Sequence, residues 1–428
     1  MREILMVDER EKALLVGVDI GEEPDFDRSM QELKSLAEAC NMRVTGLITQ
    51  RMEAVNKAFY VGTGKVAEVK EYASECEAEV IVFDNALTPS QVRNLQEELE
   101  LPILDRTALI LDIFALRAQS REAKLQVETA RLQYLLPRLV GMHDALSRQG
   151  GASGSMSNKG TGEKKLELDR RRIEHRISEL KKELNDVEQD RNTQRKKRMN
   201  SSVPQVALVG YTNAGKSTVM NRVVELYCNS EEKKVLEKDM LFATLETSVR
   251  YVETAAHKPF YLVDTVGFIH KLPHGLVKAF HSTLEEVRYA DLLVQIVDFS
   301  DPQHRQQMEV TRQTLEELGA GHIPVINVYN KADLCDVEYP RVIERQIYMS
   351  AAGGVGIPEL VELIQELLYA DNVEGDFLIP YDQGNAASYL MAHGTVLQRA
   401  YVEEGICLRV NCPRQDAERY RRYLTNKV

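Results

Sequence analysis

The chain has 428 residues, of which 43% are hydrophobic and 28% are charged, and its formal net charge is −12 at pH 7. That length predicts about three domains, and the acidic balance argues against indiscriminate nucleic-acid binding. No apolar run approaches the roughly 18 residues that a membrane span needs, and the six cysteines include no C-x-x-C pair. We therefore predict a cytoplasmic protein with reduced cysteines and no membrane span, and we leave peripheral attachment to a membrane open.

Residues 1–106 alternate short apolar runs with helical patterns. This alternation predicts a small parallel sheet with crossover helices, that is, an N-terminal α/β domain. The apolar runs cover 13–18, 44–48 and 80–83, and the helical patterns cover 27–40, 65–76 and 89–99.

Residues 107–200 contain two long helical patterns. The first runs from Leu109 to an expected end at Pro137, and the second begins at Ile173. Apolar side chains recur in both at a/d spacing, which predicts that the two helices pair as an antiparallel hairpin. A glycine- and serine-rich loop at 149–162 would form the tip of this hairpin.

The hairpin is basic. Residues 117–200 hold 20 Lys and Arg against 12 Asp and Glu. A basic segment on an acidic protein suggests an arm that faces RNA. The alternative is a solvated helix surface that happens to be rich in Lys and Arg, with an idle flexible linker at its tip.

Residues 201–370 predict a doubly wound α/β domain, and residues 371–428 predict a small α+β domain. The apolar run 206–209 is followed by Gly-Tyr-Thr-Asn-Ala-Gly-Lys-Ser at 210–217 and then by a helical pattern. A strand, a glycine loop and a helix in this order are typical of a loop that binds phosphates with its backbone N–H groups. Lys216 would neutralise the β- and γ-phosphates.

The motif from Asn330 to Asp333 favours GTP over ATP as the expected ligand. The Asp333 carboxylate can accept hydrogen bonds from guanine N1 and N2, which adenine does not offer, while Asn330 can serve the acceptor edge of the base and Lys331 can lie along its ring. Residues 350–352 would close over the base. The predicted fold class is therefore α/β: a P-loop GTPase domain with an N-terminal small parallel α/β domain, a long antiparallel helical hairpin and a small C-terminal α+β domain.

A magnesium site and a nucleotide switch are predicted beside the phosphate loop. Ser217 and Thr244, with Thr247 as the substitute for Thr244, would ligate Mg²⁺ directly, Asp264 would reach it through water, and the Gly267 N–H would contact the γ-phosphate. Lys216, Thr244 and Gly267 are the expected catalytic residues. The predicted GTP-binding residues are Gly210, Tyr211, Thr212, Asn213, Ala214, Gly215, Lys216, Ser217, Thr218, Asp264, Thr265, Val266, Gly267, Asn330, Lys331, Asp333, Ser350, Ala351 and Ala352.

These motifs resemble those of the HflX family of translation-factor-related GTPases over nearly the whole chain. The resemblance implies binding to the bacterial large ribosomal subunit and its 23S rRNA, action as a monomer when bound, and GTP-dependent splitting of stalled or idle 70S ribosomes. Stress response and antibiotic resistance are roles that it suggests and that the sequence leaves open. The most specific stretches are 125–128, 162–163, 168–171, 210–215 and 264–269.

The family resemblance also implies that the tip loop of the hairpin reaches toward the peptidyl-transferase centre. In this chain the loop lacks the Arg- and Pro-containing sequence associated with many family members. The expected ribosome-contacting residues are Arg148, Ser153, Ser155, Met156, Asn158, Lys159, Lys164 and Lys165.

Two residues of the predicted site concern the rate of GTP hydrolysis and the choice of metal cofactor. Phe268 stands where many GTPases carry a water-orienting glutamine, so intrinsic hydrolysis is expected to be slow until the ribosome completes the site. Asn213 resembles the asparagine of potassium-stimulated GTPases, which adds K⁺ to Mg²⁺ as a candidate cofactor, with a plain loop-shaping role as the alternative. The alternative functions are a GTPase that times ribosome assembly or release from rRNA without splitting, and a nucleotide-switch adaptor with a protein partner.

Overall fold

A computed structural model describes residues 10–21, 25–149, 156–199, 203–228, 248–254, 258–265, 267–268, 271 and 286–425, with side chains undescribed in 140–149, 156–166 and 190–199. The chain divides into two compact units. The first comprises Met1–Val187, Asp239–Leu245 and His270–His281, and the second comprises Glu188–Lys238, Glu246–Ile269 and Ser282–Val428. Within the described ranges, no helix is both long enough and apolar enough to cross a membrane.

The first unit begins with the predicted parallel α/β domain. Its four strands are parallel and lie in the order β2-β1-β3-β4. The inner strand β3 is buried and apolar along its whole length, and β1 is buried from Ala13 to Val18, as expected for parallel strands that are covered on both faces. The elements are β1 (Lys12–Asp19), α1 (Phe26–Ala39), β2 (Arg43–Arg51), α2 (Thr63–Glu75), β3 (Val80–Phe83), α3 (Pro89–Leu99), β4 (Ile103–Asp105) and α4 (Arg106–Arg117).

The first predicted long helix is divided into two helices in the structure. Helix α4 packs in the N-terminal domain and ends at Arg117, and α5 (Arg121–Gln149) begins after a break in which Ala118 is extended. The Ser120 hydroxyl accepts a hydrogen bond from the Ala123 N–H at 3.1 Å and so caps the new helix. The predicted end at Pro137 was wrong, because α5 continues through this proline.

Helices α5 and α6 (Met156–Met199) form the predicted antiparallel pair. Arg121 pairs with Glu183 at 3.1 Å and Glu128 pairs with Arg176 at 2.9 Å, so residue numbers rise along one helix as they fall along the other. The buried seam includes Ala123, Val127, Ala130, Ile177 and Leu180. Because α6 begins at Met156, the second half of the predicted tip loop is helical.

The second unit contains the predicted doubly wound sheet, in the order β10-β11-β9-β8-β5-β7-β6. Strand β5 is fully buried between β7 and β8, and the chain leaves its carboxyl end at the phosphate loop. Ligands of open α/β sheets bind at this kind of edge. The elements are β5 (Gln205–Gly210), α7 (Lys216–Tyr227), β6 (Ser248–Val252), β7 (Phe260–Asp264), β8 (Leu292–Asp298), α8 (His304–Glu317), β9 (Val325–Asn330), β10 (Arg341–Ile343), β11 (Gln346–Tyr348) and α9 (Ile357–Leu368).

The last part of the second unit is a small antiparallel sheet with helices, as predicted. Its strand order is β12-β14-β13, and the predicted connection at Glu404 and Gly405 joins the last two strands. The predicted closing helix over 415–424 is shorter in the structure, and a further helix lies between the first two strands. The elements are β12 (Asn372–Ile379), α10 (Gly384–His393), β13 (Thr395–Val402), β14 (Gly405–Pro413) and α11 (Arg414–Arg419).

Candidate nucleotide-binding site

The phosphate loop connects β5 to α7, and two of its positions accept only glycine. Gly210 has φ +141°, and a Cβ there would lie 2.2 Å from the Ile296 carbonyl oxygen. Gly215 has φ +97°, and a Cβ there would lie 2.3 Å from the Asn330 amide nitrogen. Both backbone conformations are disfavoured for other residues, so the glycine spacing read from the sequence follows from close packing against neighbouring strands.

Lys216 begins α7 and is almost completely buried inside this loop. Its ammonium donates hydrogen bonds to the carbonyl oxygens of Gly210 at 3.0 Å and Tyr211 at 2.7 Å. Burial lowers the pKa of Lys216 to about 8, although the nearby Asp264 carboxylate acts to raise it. A partly desolvated ammonium at a helix N-terminus is suited to bind an anion such as a nucleotide phosphate.

Ser217 and Asp264 meet next to Lys216. The Ser217 hydroxyl donates to Asp264 Oδ2 at 3.0 Å, and Asp264 is fully buried at the end of β7. The residues present fit Mg²⁺, which prefers hard oxygen ligands from one or two side chains and completes its shell with phosphates and water. In the described part of the chain, no cluster of three or more His, Cys, Asp or Glu side chains could hold a metal by itself. Thr244, and its substitute Thr247, lie outside the described residues.

The segment after β7 is attached to the phosphate loop through its backbone. The Phe268 N–H donates to the Gly210 carbonyl at 3.1 Å, and the Phe268 carbonyl accepts from the Thr212 N–H at 2.8 Å. The Phe268 side chain is buried. Gly267 lies so near Lys216 that a Cβ there would be 2.9 Å from the ammonium nitrogen. The structure therefore places Gly267 directly beside the Lys216 ammonium.

The Asn330 amide joins the end of β9 to two other parts of the site. Its Nδ2 donates to the Ala214 carbonyl, and its Oδ1 accepts from the Ala351 N–H, both at 2.9 Å. Lys331, at φ +62°, pairs with Asp298 at 2.6 Å, and Asp333 is exposed in the short 3₁₀ turn that follows. Asn330 thus positions the phosphate loop and the segment 350–352, while Asp333 is accessible to a ligand.

Sequence reasoning missed two residues that organise this side of the site. Arg222 on α7 donates to the carbonyls of Ala351 at 3.2 Å and Ala352 at 2.8 Å, which fixes the predicted base-closing segment. Within that segment the Ser350 hydroxyl accepts from the Gly353 N–H at 3.2 Å. Asp298, the partner of Lys331, is the second missed residue; its position at the carboxyl end of β8 was the available signal.

The remaining predicted residues are distributed as follows. Tyr211, Thr212 and Ala214 are buried in the phosphate loop, Thr218 is half-buried in the first turn of α7, and Thr265 donates from its hydroxyl to the Leu208 carbonyl at 2.6 Å. Asn213 is exposed at φ +61°, a conformation that asparagine tolerates well, which supports its loop-shaping role. Val266 and the side chains of Arg148, Ser153, Ser155, Met156, Asn158, Lys159, Lys164 and Lys165 lie outside the described part of the structure.

The fold and these motifs together define a GTP-hydrolysing P-loop protein. Three family models match consecutive parts of the chain: GTP-binding GTPase N-terminal over residues 27–115, GTP-binding GTPase Middle Region over 117–198, and 50S ribosome-binding GTPase over 205–331. The third model covers the phosphate loop and the first two residues of the motif from Asn330 to Asp333.

Full-length relatives identify the family. The GTPase HflX of Caldanaerobacter subterraneus subsp. tengcongensis is 41% identical over 97% of this chain and 94% of the relative. GTPase HflX of Alkalihalophilus pseudofirmus is 42% identical over 93% and 94%, and that of Escherichia coli K12 is 38% identical over 96% of both chains. The chain belongs to the HflX family of GTPases.

Proposed function

We propose that this GTPase binds the large subunit of the bacterial ribosome, including its 23S rRNA, and splits stalled or idle 70S ribosomes while GTP is bound. The observation that carries the proposal is the antiparallel hairpin of α5 and α6, a basic arm on an otherwise acidic chain. The match of residues 205–331 to a 50S ribosome-binding GTPase family supports it from the nucleotide-binding domain. The hairpin contacts rRNA with its Lys and Arg side chains, and its tip reaches the catalytic centre of the subunit.

The nucleotide bound at this site determines whether the protein adopts its ribosome-bound conformation. Lys216 neutralises the β- and γ-phosphates, and the Gly267 N–H contacts the γ-phosphate. Ser217 would hold the metal ion directly, Asp264 would reach it through water, and Thr244 would join them in the GTP state. Mg²⁺, when bound, neutralises charge that develops on the phosphates during transfer. GTP therefore favours the ribosome-bound conformation, and hydrolysis with phosphate release ends it.

Hydrolysis depends on the ribosome in this proposal. The buried, apolar Phe268 side chain has no group that can orient an attacking water, so ribosomal RNA or protein supplies it. Because the side chain is buried, replacing it by glutamine would bury an amide and disturb packing. The ribosome dependence is better tested on the wild type, by comparing hydrolysis with and without large subunits; fast hydrolysis without subunits would contradict it.

Further properties belong to the same proposal. K⁺ assists hydrolysis if Asn213 helps to hold it beside the phosphates, and equal rates in K⁺ and Na⁺ would leave only the loop-shaping role that its backbone conformation supports. The protein acts as a monomer on the ribosome in the cytoplasm, and peripheral association with the membrane remains a prediction to be checked by membrane fractionation. Release of stalled ribosomes also gives it a role under stress and during exposure to ribosome-targeting antibiotics.

A second candidate function is supported by the same basic hairpin. A GTPase that times ribosome assembly would also need an RNA-binding arm, and it would bind subunits without separating them. Sucrose gradients distinguish the two functions. Purified 70S ribosomes with this protein and a non-hydrolysable GTP analogue should resolve into subunits, with the protein on the large one. Intact 70S ribosomes with the protein bound only to isolated subunits would favour the assembly function.

A further inference from the structure

A cavity of about 330 Å³ lies in the first compact unit, between the N-terminal α/β domain and α5. Helices α3 and α4 and strand β4 form one side of this cavity, and α5 forms the other. The volume is within the range of pockets that hold small organic molecules. None of the described residues that line the cavity belongs to the nucleotide site.

The α5 side of the cavity is held in place by Asp105, the fully buried residue at the end of β4. Its Oδ1 accepts from the Tyr134 hydroxyl at 2.7 Å, and its Oδ2 accepts from the Arg138 guanidinium at 2.9 Å. Arg138 also donates to the Leu87 carbonyl at 3.1 Å, and its guanidinium carbon lies 3.3 Å from the centroid of the Tyr134 ring. Tyr134 and Arg138 both line the cavity. Because these side chains are already fixed, a ligand would pay little for ordering them.

Most of the cavity wall is apolar. The side formed by the N-terminal domain includes Val92 on α3, Leu104 on β4 and Leu111 on α4. The side formed by α5 includes Leu135 and Leu139, which lie one turn apart on the same face of that helix. Leu135 is 44% exposed. A ligand that covers these side chains removes apolar surface from water, so the cavity favours a ligand with an apolar body.

The charged groups in the cavity wall are three arginines and one carboxylate. They are Arg93, Arg131, Arg138 and Asp112. Arg131 pairs with Asp112 at 2.9 Å, and their side chains are 49% and 31% exposed. The carboxylates that pair with the other two arginines do not line the cavity. The wall therefore carries an excess of positive charge, and guanidinium groups form strong hydrogen bonds with anionic oxygens.

We propose that this cavity binds a small organic acid whose apolar body packs between α3, α4 and α5 and whose anionic group interacts with Arg131. Aromatic and medium-chain aliphatic carboxylates share this chemistry. A nucleoside triphosphate does not, because the leucine-lined wall would leave its sugar hydroxyls and most of its charges without partners. The site requires neither GTP nor the ribosome.

Fluorescence titration with anilinonaphthalene sulfonate, an aromatic anion of this class, tests the site on the full-length protein. Saturating GDP keeps the nucleotide site filled, so that the probe cannot bind there. We expect saturable binding of the probe and its displacement by decanoate. Decanol, which has a similar apolar body and no charge, should displace the probe at least about tenfold less well. The absence of saturable binding, or equal displacement by the acid and the alcohol, would overturn the proposal.

Variants of the cavity wall separate the two parts of the ligand. Ala108→Phe places a ring in the cavity and should weaken binding of both decanoate and decanol. Arg131→Gln should weaken decanoate binding about tenfold and leave decanol unchanged. The matched control is Arg121→Gln, which removes another arginine–carboxylate pair of α5, that with Glu183 at 3.1 Å, and should change neither affinity. Unchanged decanoate binding in the Ala108 and Arg131 variants would place the ligand elsewhere.

Hydrogen exchange on the wild type gives an answer even if a variant fails to fold. With decanoate at saturation and GDP present, mass spectrometry should show several-fold slower exchange in peptides that cover α3 and residues 131–139 of α5. Peptides of the phosphate loop should exchange at the same rate with and without decanoate. Protection at the phosphate loop alone, or no protection of α3 and α5, would contradict the proposed site.

Discussion

The side-chain amide of Asn330 donates a hydrogen bond to the Ala214 carbonyl at 2.9 Å, and this bond ties the end of β9 to the phosphate loop. Asn330 is 3% exposed, and its amide oxygen accepts from the Ala351 N–H as well. One buried side chain therefore sets the spacing between the loop that holds phosphates and the two segments expected to hold the base.

Replacing Asn330 by aspartate should disrupt both sides of the site at once. The substitution keeps the size but places a carboxylate against the Ala214 carbonyl, so a buried polar pair is lost at a cost of about 1–3 kcal/mol. We expect GDP affinity to fall at least about tenfold, as measured by fluorescent-nucleotide titration. The control is Asn94→Asp, because Asn94 also donates to a backbone carbonyl, that of Ala58 at 3.0 Å. This control should lose stability without losing GDP affinity; unchanged affinity in the Asn330 variant would contradict the expected result.

Replacing Asp333 by asparagine should change base preference. Its exposed carboxylate would accept hydrogen bonds from guanine N1 and N2, whereas an amide suits the carbonyl that xanthine carries in place of the 2-amino group. We expect GTP affinity to fall by roughly tenfold or more and xanthosine triphosphate affinity to rise. Asp336→Asn, at an exposed position on the same loop, should leave both affinities unchanged. Unchanged GTP affinity in the Asp333 variant would overturn the assignment.

Nucleotide binding should take up a proton above pH 8. The pKa of Lys216 in the nucleotide-free protein is about 8, and bound phosphates favour its ammonium form and raise that pKa. Affinity should therefore fall as pH rises through 8, by up to about tenfold per pH unit. Calorimetry at pH 8.5 in two buffers of different ionisation enthalpy measures the uptake directly. Binding of GDP without proton uptake at this pH would show that Lys216 is already charged in the nucleotide-free site.

The tip of the hairpin should be needed for splitting but not for hydrolysis. Deleting residues 150–160 removes the connection between α5 and α6 together with the first turn of α6, and it touches no residue of the nucleotide site. Without ribosomal subunits, the deletion variant should hydrolyse GTP at the wild-type rate. When it is added to 70S ribosomes, they should remain intact in sucrose gradients. A Gly/Ser segment of the same length serves as the control for hairpin closure and should also be inactive. Full splitting activity in either variant would show that the tip acts only as a linker.

The phosphate loop and the overall fold class could be predicted because their chemistry is local in sequence. Glycines at 210 and 215, and a lysine after them, are dictated by backbone geometry at one strand end. The antiparallel hairpin could likewise be predicted from the a/d spacing of its apolar residues. The boundary between α4 and α5 could not, because the apolar spacing continues across the break at Ala118. The end of α5 was also mispredicted, because a proline inside a helical pattern usually indicates the end of the helix.

Long-range contacts set the limit of sequence reasoning. Arg222 donates to carbonyl oxygens of a segment far along the chain, and Lys271 pairs with Asp84, which lies 187 residues away in the sequence. The sequence pattern around Arg222 and Lys271 does not distinguish either of them from an ordinary surface residue. The role of Asn330 shows the same limit, since the motif suggested contact with the base and only the structure shows its bonds to Ala214 and Ala351.

Real-time light scattering of 70S ribosomes tests the central claim most directly. With protein below the ribosome concentration, at a Mg²⁺ concentration where separated subunits do not reassociate, GTP should support repeated splitting until the scattering of 70S ribosomes is lost. A non-hydrolysable analogue should split only as many ribosomes as there are protein molecules, because release requires hydrolysis, and GDP should split none. Constant scattering with both GTP and the analogue, while the protein still binds large subunits, would contradict the proposed function.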